Sequence, residues 1–261
     1  MAKRAKELLL AIGIGNTNVS LGIFQRGELL RHWRLSTEYR RTADEARVYL
    51  SQLLQLSELD AAQIRGLIIA SDVPAMTGVY MQALRDLFGI KPLLLTHEIK
   101  LGIENCYQRP EQVGSDRLAN AVAGKDLFGL PLIIVDIGTA ITLDVINSKS
   151  QYLGGVIMPG PQMSAEALYQ KAARLPQISF EETEQIIGRS TETSIRSGLF
   201  NGIVGSIDYL AEQIQKETGE KSKVVATGGL GEYVVRKSRY ISQYHPNLNL
   251  LGLAKIWEMN R

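Results

Sequence analysis

The sequence contains only one cysteine, Cys106, in 261 residues. A single cysteine cannot form a disulfide within the chain, and no Cys/His cluster surrounds Cys106 that would suggest a zinc site. The chain is therefore expected to work in a reducing compartment and without structural zinc.

The sequence also has little net charge and no long apolar run. A formal net charge of +2 is too small to predict a nucleic-acid or membrane surface, and no apolar run approaches the length of a membrane span. Residues Met1–Ile12 begin with basic residues before Leu8-Leu9-Leu10, but the apolar part is too short for a signal peptide and lacks an Ala-x-Ala exit. We interpret this segment as the first core strand and predict a cytoplasmic protein.

An apolar run from Leu132 to Asp144 contains the most informative pattern in the chain. Its first strand ends with Asp136 close to a Gly138-Thr139 turn, and a second strand follows the turn. Backbone N–H groups at such a turn suit a phosphate, and a carboxylate at a strand end suits a cation. Alone, the pattern is more often a structural hairpin than a binding site.

The same design occurs near the N-terminus, in Leu8–Phe24, around Gly15-Asn16-Thr17. Aligning Gly15 with Gly138 gives an offset of 123 residues, close to half the chain, which is typical of an internal duplication. The two halves are expected to face each other across a cleft, each with a phosphate loop. In this alignment Gly13 occupies the position of Asp136.

Elsewhere, strands alternate with helices, which indicates an α/β layer architecture. Thr42 and Glu45 have the spacing of a capping box that starts a helix. Ser115 is expected to cap a later helix with Asp116 in its first turn, where the helix dipole stabilises an anion. A long helix is predicted over Gly198–Lys216, and the spacing of its early glycines suits close packing of another backbone.

Five motifs, in order, resemble type III pantothenate kinases, which belong to the superfamily of acetate and sugar kinases, Hsp70 and actin. They are Gly15-Asn16-Thr17 with Gly22, Gly114-Ser115-Asp116-Arg117, Asp136-x-Gly138-Thr139-Ala140-x-Thr142-x-Asp144, Gly154-Gly155-x-Ile157-x-Pro159-Gly160 and Thr227-Gly228-Gly229. The resemblance implies two duplicated ribonuclease-H-like domains, residues 1–116 and 117–261, with an active-site cleft between them. A helix near residues 250–261 is expected to pack back on the first domain.

The resemblance also implies roles for individual residues. Asp116 matches the catalytic base, Asp136 the monovalent-cation site and Thr139 an ATP contact. The implied pantothenate contacts are Tyr107, Gly114, Ser115, Asp116, Arg117 and Thr191. The implied ATP phosphate loop is Gly13, Ile14, Gly15, Asn16, Thr17, Asn18, Val19 and Ser20. From the residues alone, the better explanation of Asp116 is a helix-start carboxylate paired with Arg117; together with the neighbouring motifs, the resemblance favours a catalytic role.

The chain departs from the family at Gly13, where the family has an aspartate that is expected to help hold magnesium at the ATP phosphates. Three explanations stay open: loss of function, a non-catalytic relative that keeps ligand binding, or an active kinase whose magnesium is held by phosphates and water.

The expected function is therefore ATP-dependent phosphorylation of pantothenate to 4′-phosphopantothenate, the first step of coenzyme A synthesis. Magnesium and a monovalent cation, potassium or ammonium, are the implied cofactors. The alternative is a catalytically impaired, ligand-binding or regulatory relative. The resemblance further implies a homodimer, and the Gly-spaced helix from Gly198 is a candidate for part of the contact. From the residues alone, a tightly packed core helix is the preferred explanation of that segment.

Overall fold

The computed structural model describes residues 7–172 and 175–261. These residues form two compact units. The first comprises the described residues up to Gly102, together with Gln108–Ala123 and Leu248–Arg261. The second comprises Ile103–Tyr107 and Gly124–Asn247. Residue 117, where the sequence places the join between the halves, lies near the start of a helix.

The described residues contain eleven strands and seven α-helices. The strands are β1 (Leu8–Ile14), β2 (Asn18–Gln25), β3 (Glu28–Ser36), β4 (Ile64–Ser71), β5 (Leu93–Leu94), β6 (Glu104–Asn105), β7 (Leu132–Ile137), β8 (Ala140–Ile146), β9 (Gln151–Pro159), β10 (Lys223–Thr227) and β11 (Ile241–Tyr244). The helices are α1 (Ala43–Leu56), α2 (Pro74–Phe88), α3 (Ser115–Phe128), α4 (Pro161–Lys171), α5 (Thr191–Thr218), α6 (Gly231–Val235) and α7 (Leu248–Asn260).

The sheet topology shows the duplication directly. The first unit has the strand order β3-β2-β1-β4-β5, and the second has β9-β8-β7-β10-β11 with β6 added beside β9. In both sheets the first three strands are antiparallel and the next two run parallel. The predicted fold class, α/β with two duplicated halves, is confirmed.

The residue register places Gly13 and Asp136 at matching points of the two sheets. Gly13 pairs with Ser20 and Ala70, one residue before the end of β1. Asp136 pairs with Thr142 and Thr227, one residue before the end of β7. The offset of 123 found in the sequence therefore aligns the same structural position in each unit.

Helices cover both faces of the first sheet. Leu8, Leu10, Ile12 and Ile14 of β1 pack in one cluster with residues of α1 and α2. Successive side chains on a strand point to opposite faces, so Gly13 belongs to the other face, where α7 packs on β1, β2 and β4. The predicted capping box of α1 is confirmed, since the side chains of Thr42 and Glu45 each accept from the other's backbone N–H.

Helix α5 covers one face of the second sheet through Phe200, Ile203 and Ile207. The core-helix prediction is confirmed for this face, but the predicted start was wrong. The helix begins at Thr191, because Ser190 and Thr193 form a capping box. Gly198, Gly202 and Gly205 point away from the core, and a Cβ added to any of them would meet no other atom of the described chain within 4 Å.

The start of the predicted N-terminal strand falls outside the described residues. Strand β1 begins at Leu8, and residues 1–6 of the predicted segment Met1–Ile12 are not described. None of the helices in the described ranges combines the length and the apolar character needed to cross a bilayer.

Candidate active site

The predicted phosphate loop is the turn between β1 and β2 in the first unit. The Gly15 N–H donates to the Asn18 carbonyl at 2.9 Å, which closes the turn. Thr37 holds it from the side, with its hydroxyl donating to the Gly15 carbonyl at 2.6 Å and its N–H to the Thr17 carbonyl at 2.9 Å. Asn16 and Thr17 at the tip are exposed. An exposed tip on a fixed turn is a suitable place for an anion.

Not every residue of the predicted loop can contribute a side chain. Ile14 and Val19 are buried in the core cluster of the first sheet, so only their backbone groups could reach a ligand. Gly13, Gly15, Asn18 and Ser20 are half-buried.

The predicted catalytic residue, Asp116, lies at the start of α3 in the same unit. Its Oδ1 accepts from the Arg117 N–H at 2.6 Å, and its side chain is partly exposed. Arg117 is buried, which leaves little of its side chain open to solvent. A partly exposed carboxylate at a helix N-terminus can accept a proton from a bound hydroxyl.

Asp72 also belongs to this site, although the sequence analysis predicts no role for it. Its Oδ1 accepts from both the N–H and the hydroxyl of Ser115, at 2.8 and 3.1 Å. The prediction that Ser115 itself caps α3 is therefore wrong: Ser115 is the first helical residue, and Asp72 supplies the capping carboxylate. The signal in the sequence was an acidic residue directly after the buried strand β4.

Two residues connect the phosphate loop to the start of α3. The Asp72 N–H donates to the Ile14 carbonyl at 3.0 Å, while the Asp72 carboxylate binds Ser115. The Asn249 side chain on α7 donates to the Asp116 carbonyl at 3.1 Å, and its Oδ1 lies 2.7 Å from the point where a Gly13 Cβ would be. The structure thus brings together Gly13 and Asp116, which are 103 residues apart in the sequence.

Gly114 lies at the centre of this arrangement. A Cβ there would lie 2.7 Å from the Asp116 Oδ1 and 3.3 Å from the Asp72 Oδ1. Both carboxylates therefore approach the same point, and only a residue without a side chain leaves that point open.

In the second unit, Asp136 and Thr139 share the β7–β8 hairpin. The Gly138 N–H donates to the Ala140 carbonyl at 3.0 Å, which closes the turn as Gly15 does in the first unit. Thr139 is exposed at its tip. A Cβ at Gly228 would lie 2.5 Å from both the Asp136 Oδ1 and the Ile137 carbonyl oxygen.

This donor set can be compared with the needs of a monovalent cation. Two oxygens, one of a carboxylate and one of a main-chain carbonyl, approach a single point that a side chain at residue 228 would fill. Hard cations prefer oxygen ligands of these kinds. These two oxygens have the chemistry that such an ion prefers, but the point between them lies beside the Gly228 Cα and 2.6 Å from the Ile137 nitrogen, so it is not itself the position of an ion.

Tyr107 is held in the second unit by Gly154 and Tyr152. Its ring atoms lie 3.1 Å from the point where a Gly154 Cβ would be, and its ring centroid is 6.5 Å from that of Tyr152. The Tyr152 hydroxyl donates to the buried Asp144 at 2.6 Å, and Asp144 also accepts from the Thr142 hydroxyl at 2.9 Å. These hydrogen bonds hold the Tyr152 side chain, whose ring lies beside that of Tyr107.

Thr191 is the first residue of α5 and is exposed. It lines a shallow depression together with Arg189, Ser190 and Ser194. None of the contacts described above connects it to Tyr107 or Asp136. A cavity of the first unit lies at the opposite end of β1 from the phosphate loop, between the β2–β3 turn and Trp257.

Comparison with known proteins gives one family and several similar folds. A family model described as type III pantothenate kinase matches residues 9–213. A solved Baf family protein from Campylobacter jejuni is 22% identical with a TM-score of 0.59, over 95% of this chain and 97% of that one.

Two further solved structures have the same fold. The ethanolamine utilization protein EutJ from Carboxydothermus hydrogenoformans is 14% identical with a TM-score of 0.55, over 95% of this chain and 89% of that one. The ROK hexokinase from Thermus thermophilus is 14% identical with a TM-score of 0.50, over 95% and 98% of the two chains. At these identities the likeness concerns the fold alone, which these solved proteins share with this chain.

Proposed function

The chain belongs to the type III pantothenate kinase family, and from this premise we propose that it transfers the γ-phosphoryl group of ATP to pantothenate, giving 4′-phosphopantothenate. The observation that supports this proposal best is the connection of Asp116 to the phosphate loop within one unit. A proton acceptor and an anion-binding turn held together are what transfer to a hydroxyl requires.

In the proposed reaction, Asp116 accepts the proton of the primary hydroxyl of pantothenate as its oxygen attacks the γ-phosphorus. The O–H bond breaks, the new O–P bond forms, and ADP leaves with the electron pair of the broken P–O bond. The exposed tip of the Gly15–Asn18 turn orients the ATP phosphates. Positioning and charge neutralisation provide most of the catalysis, because the transition state is loose.

We propose that pantothenate contacts Tyr107, Thr191 and residues 114–117, and that ATP contacts residues 13–20 and Thr139. Asp136 and the Ile137 carbonyl would hold potassium or ammonium. Magnesium, when bound with ATP, supplies charge neutralisation at the phosphates. The described residues contain no cluster of three or more His, Cys, Asp and Glu side chains that could hold a metal ion. Near Gly13, the side-chain oxygen that could serve magnesium is therefore the Asn249 Oδ1.

The proposed location is the cytoplasm. Cys106 is exposed and not disulfide-bonded. Partial desolvation is the main cause that raises the pKa of the Cys106 thiol, and the nearby Glu104 carboxylate raises it further. A thiol that stays protonated at neutral pH is a poor nucleophile, so nothing about Cys106 suggests a catalytic task.

The function is tested by a coupled assay containing pantothenate, ATP, magnesium and potassium. We expect ADP formation that depends on pantothenate, and phosphopantothenate as the product by mass spectrometry. The second candidate, a ligand-binding or regulatory relative, is favoured by Gly13. If calorimetry shows that the protein binds pantothenate and ATP, but the assay shows no turnover at any magnesium concentration, the second candidate is correct.

We further propose that the protein is a homodimer and that the Gly198, Gly202 and Gly205 side of α5 forms part of the contact. Light scattering at micromolar concentration should then give twice the mass of the chain. Gly202→Arg should give a monomer with an unchanged melting temperature, because the added side chain meets nothing in the described part of its own chain.

Gly78→Arg is the matched control for this dimer experiment. Gly78 is also a helical glycine, on α2, with open space where a Cβ would be. The Gly78→Arg variant should leave the mass measured by light scattering unchanged. A wild-type protein that scatters as a monomer would contradict the proposal.

A further inference from the structure

The strand end at Gly13 lacks an oxygen that its counterpart has. Gly13 and Asp136 hold the same register position in the two sheets, so the duplication itself shows that this point can present a carboxylate to a turn. At Gly13 the space beside the backbone is filled from another element. The Asn249 Oδ1 lies 2.7 Å from the Cβ position, close to the roughly 2.4 Å that separates a Cβ from its own carboxylate oxygens by standard bond lengths.

The orientation of the Asn249 side chain is fixed by its other end. Only the amide nitrogen can donate to the Asp116 carbonyl, and it does so at 3.1 Å, which turns the Oδ1 toward Gly13. Asn249 is half-buried. Within residues 7–172 and 175–261, no donor bonds to its Oδ1, so that oxygen keeps its capacity to accept from a ligand or a water molecule.

The helix that carries Asn249 cannot shift easily. One turn further along α7, a Cβ at Gly252 would lie 1.9 Å from the Ala119 carbonyl oxygen. The backbones of α7 and α3 are therefore in direct contact three residues beyond Asn249 and Asp116. This contact and the bond to the Asp116 carbonyl hold Asn249 beside the start of α3.

We propose that Asn249 supplies, from the C-terminal helix, the side-chain oxygen that Gly13 cannot, and that it accepts a hydrogen bond from a water molecule on the magnesium of bound MgATP. The proposal rests on the proposed function for the presence of MgATP at this turn. A bridging water suits an uncharged amide, because magnesium keeps several waters when protein carboxylates are few.

The same geometry determines what Gly13→Asp does. A new carboxylate at residue 13 would lie against the Asn249 oxygen, and the two would repel. The single substitution, which the family comparison alone would expect to raise turnover, should therefore give little gain. Gly13→Asp combined with Asn249→Ala removes the conflict and should accommodate the carboxylate.

The test is calorimetric titration of the full chain with ATP, with and without magnesium, so that its readout is not activity. The measured quantity is the factor by which magnesium raises the affinity for ATP. Asn249→Ala should lower this factor about fivefold, the equivalent of one ordinary hydrogen bond, while the magnesium-free affinity stays within about twofold. Asn260→Ala, at the other end of the same helix, should leave the factor unchanged.

The double variant separates the oxygen from the anchoring of Asp116. Gly13→Asp with Asn249→Ala lacks the bond to the Asp116 carbonyl but regains an oxygen, so its magnesium factor should reach or exceed that of the wild type. A double variant no better than Asn249→Ala, an unchanged factor in Asn249→Ala, or a wild type that does not bind MgATP would each overturn the proposal. Intact MgATP binding without pantothenate phosphorylation would instead refute the proposed function alone.

Discussion

Asp116→Asn is expected to lower kcat for pantothenate phosphorylation by ~10²–10⁴-fold, the usual contribution of a positioned proton acceptor. The amide keeps the shape of the carboxylate, and its oxygen can still accept from the Arg117 N–H as the Asp116 Oδ1 does. It cannot accept the substrate proton. The measurement is steady-state kinetics with saturating ATP, together with calorimetry to show that pantothenate still binds.

Asp72→Asn is the matched control, because the two carboxylates approach the same point beside Gly114. The Asp72 Oδ1 accepts from Ser115, a task that an amide oxygen can continue, so kcat should fall by less than about tenfold. If Asp72→Asn causes the greater loss, Asp72 is the base. If Asp116→Asn keeps most of the activity, the assignment of Asp116 is wrong.

The fold could be predicted from the sequence because the duplication repeats a local pattern. The repeated pattern consists of an apolar run, an Asp or Gly at the strand end and a Gly turn, all of which are close together in the chain. Its repetition at an offset of 123 predicts the register in which Gly13 matches Asp136, as the structure shows. The capping box at Thr42 and Glu45 was equally local, and it was confirmed.

Local patterns also explain the errors. Ser115 looks like a cap in the sequence, yet the carboxylate of Asp72, 43 residues earlier, serves α3. Thr191 was not recognised as a helix start because Thr193, and not a glutamate or glutamine, completes the capping box of α5. The glycines that follow it also weaken the helical pattern.

The part of the site that could not be predicted depends on contacts between distant residues. Asn249 meets Asp116 across 133 positions of the chain, and a lone asparagine at a helix start carries no signal of its own. The predicted roles of Tyr107, Thr191 and the cation site at Asp136 stay predictions, which ligand binding to single variants would test.

Gly252→Ala is expected to destabilise the protein by about 2 kcal/mol or more, against the direction that helix propensity alone gives. Replacing glycine by alanine inside a helix should stabilise it by ~1 kcal/mol. At Gly252, however, the new Cβ would lie 1.9 Å from the Ala119 carbonyl oxygen and 2.5 Å from its carbonyl carbon. Both atoms belong to the backbone of α3, so no side chain can turn away, and overpacking of this kind typically costs ~1–3 kcal/mol or more.

Gly78→Ala is the comparison that gives the Gly252→Ala result its meaning, because Gly78 is also a helical glycine of the first unit but has open space around the Cβ position. Urea unfolding should show it to be as stable as the wild type or more stable, while Gly252→Ala unfolds at lower urea. Moving α7 away from α3 would also pull Asn249 from Asp116 and Gly13. Gly252→Ala should therefore lose part of its magnesium-dependent ATP affinity, whereas equal stability of the two variants would show that α7 and α3 are not in backbone contact.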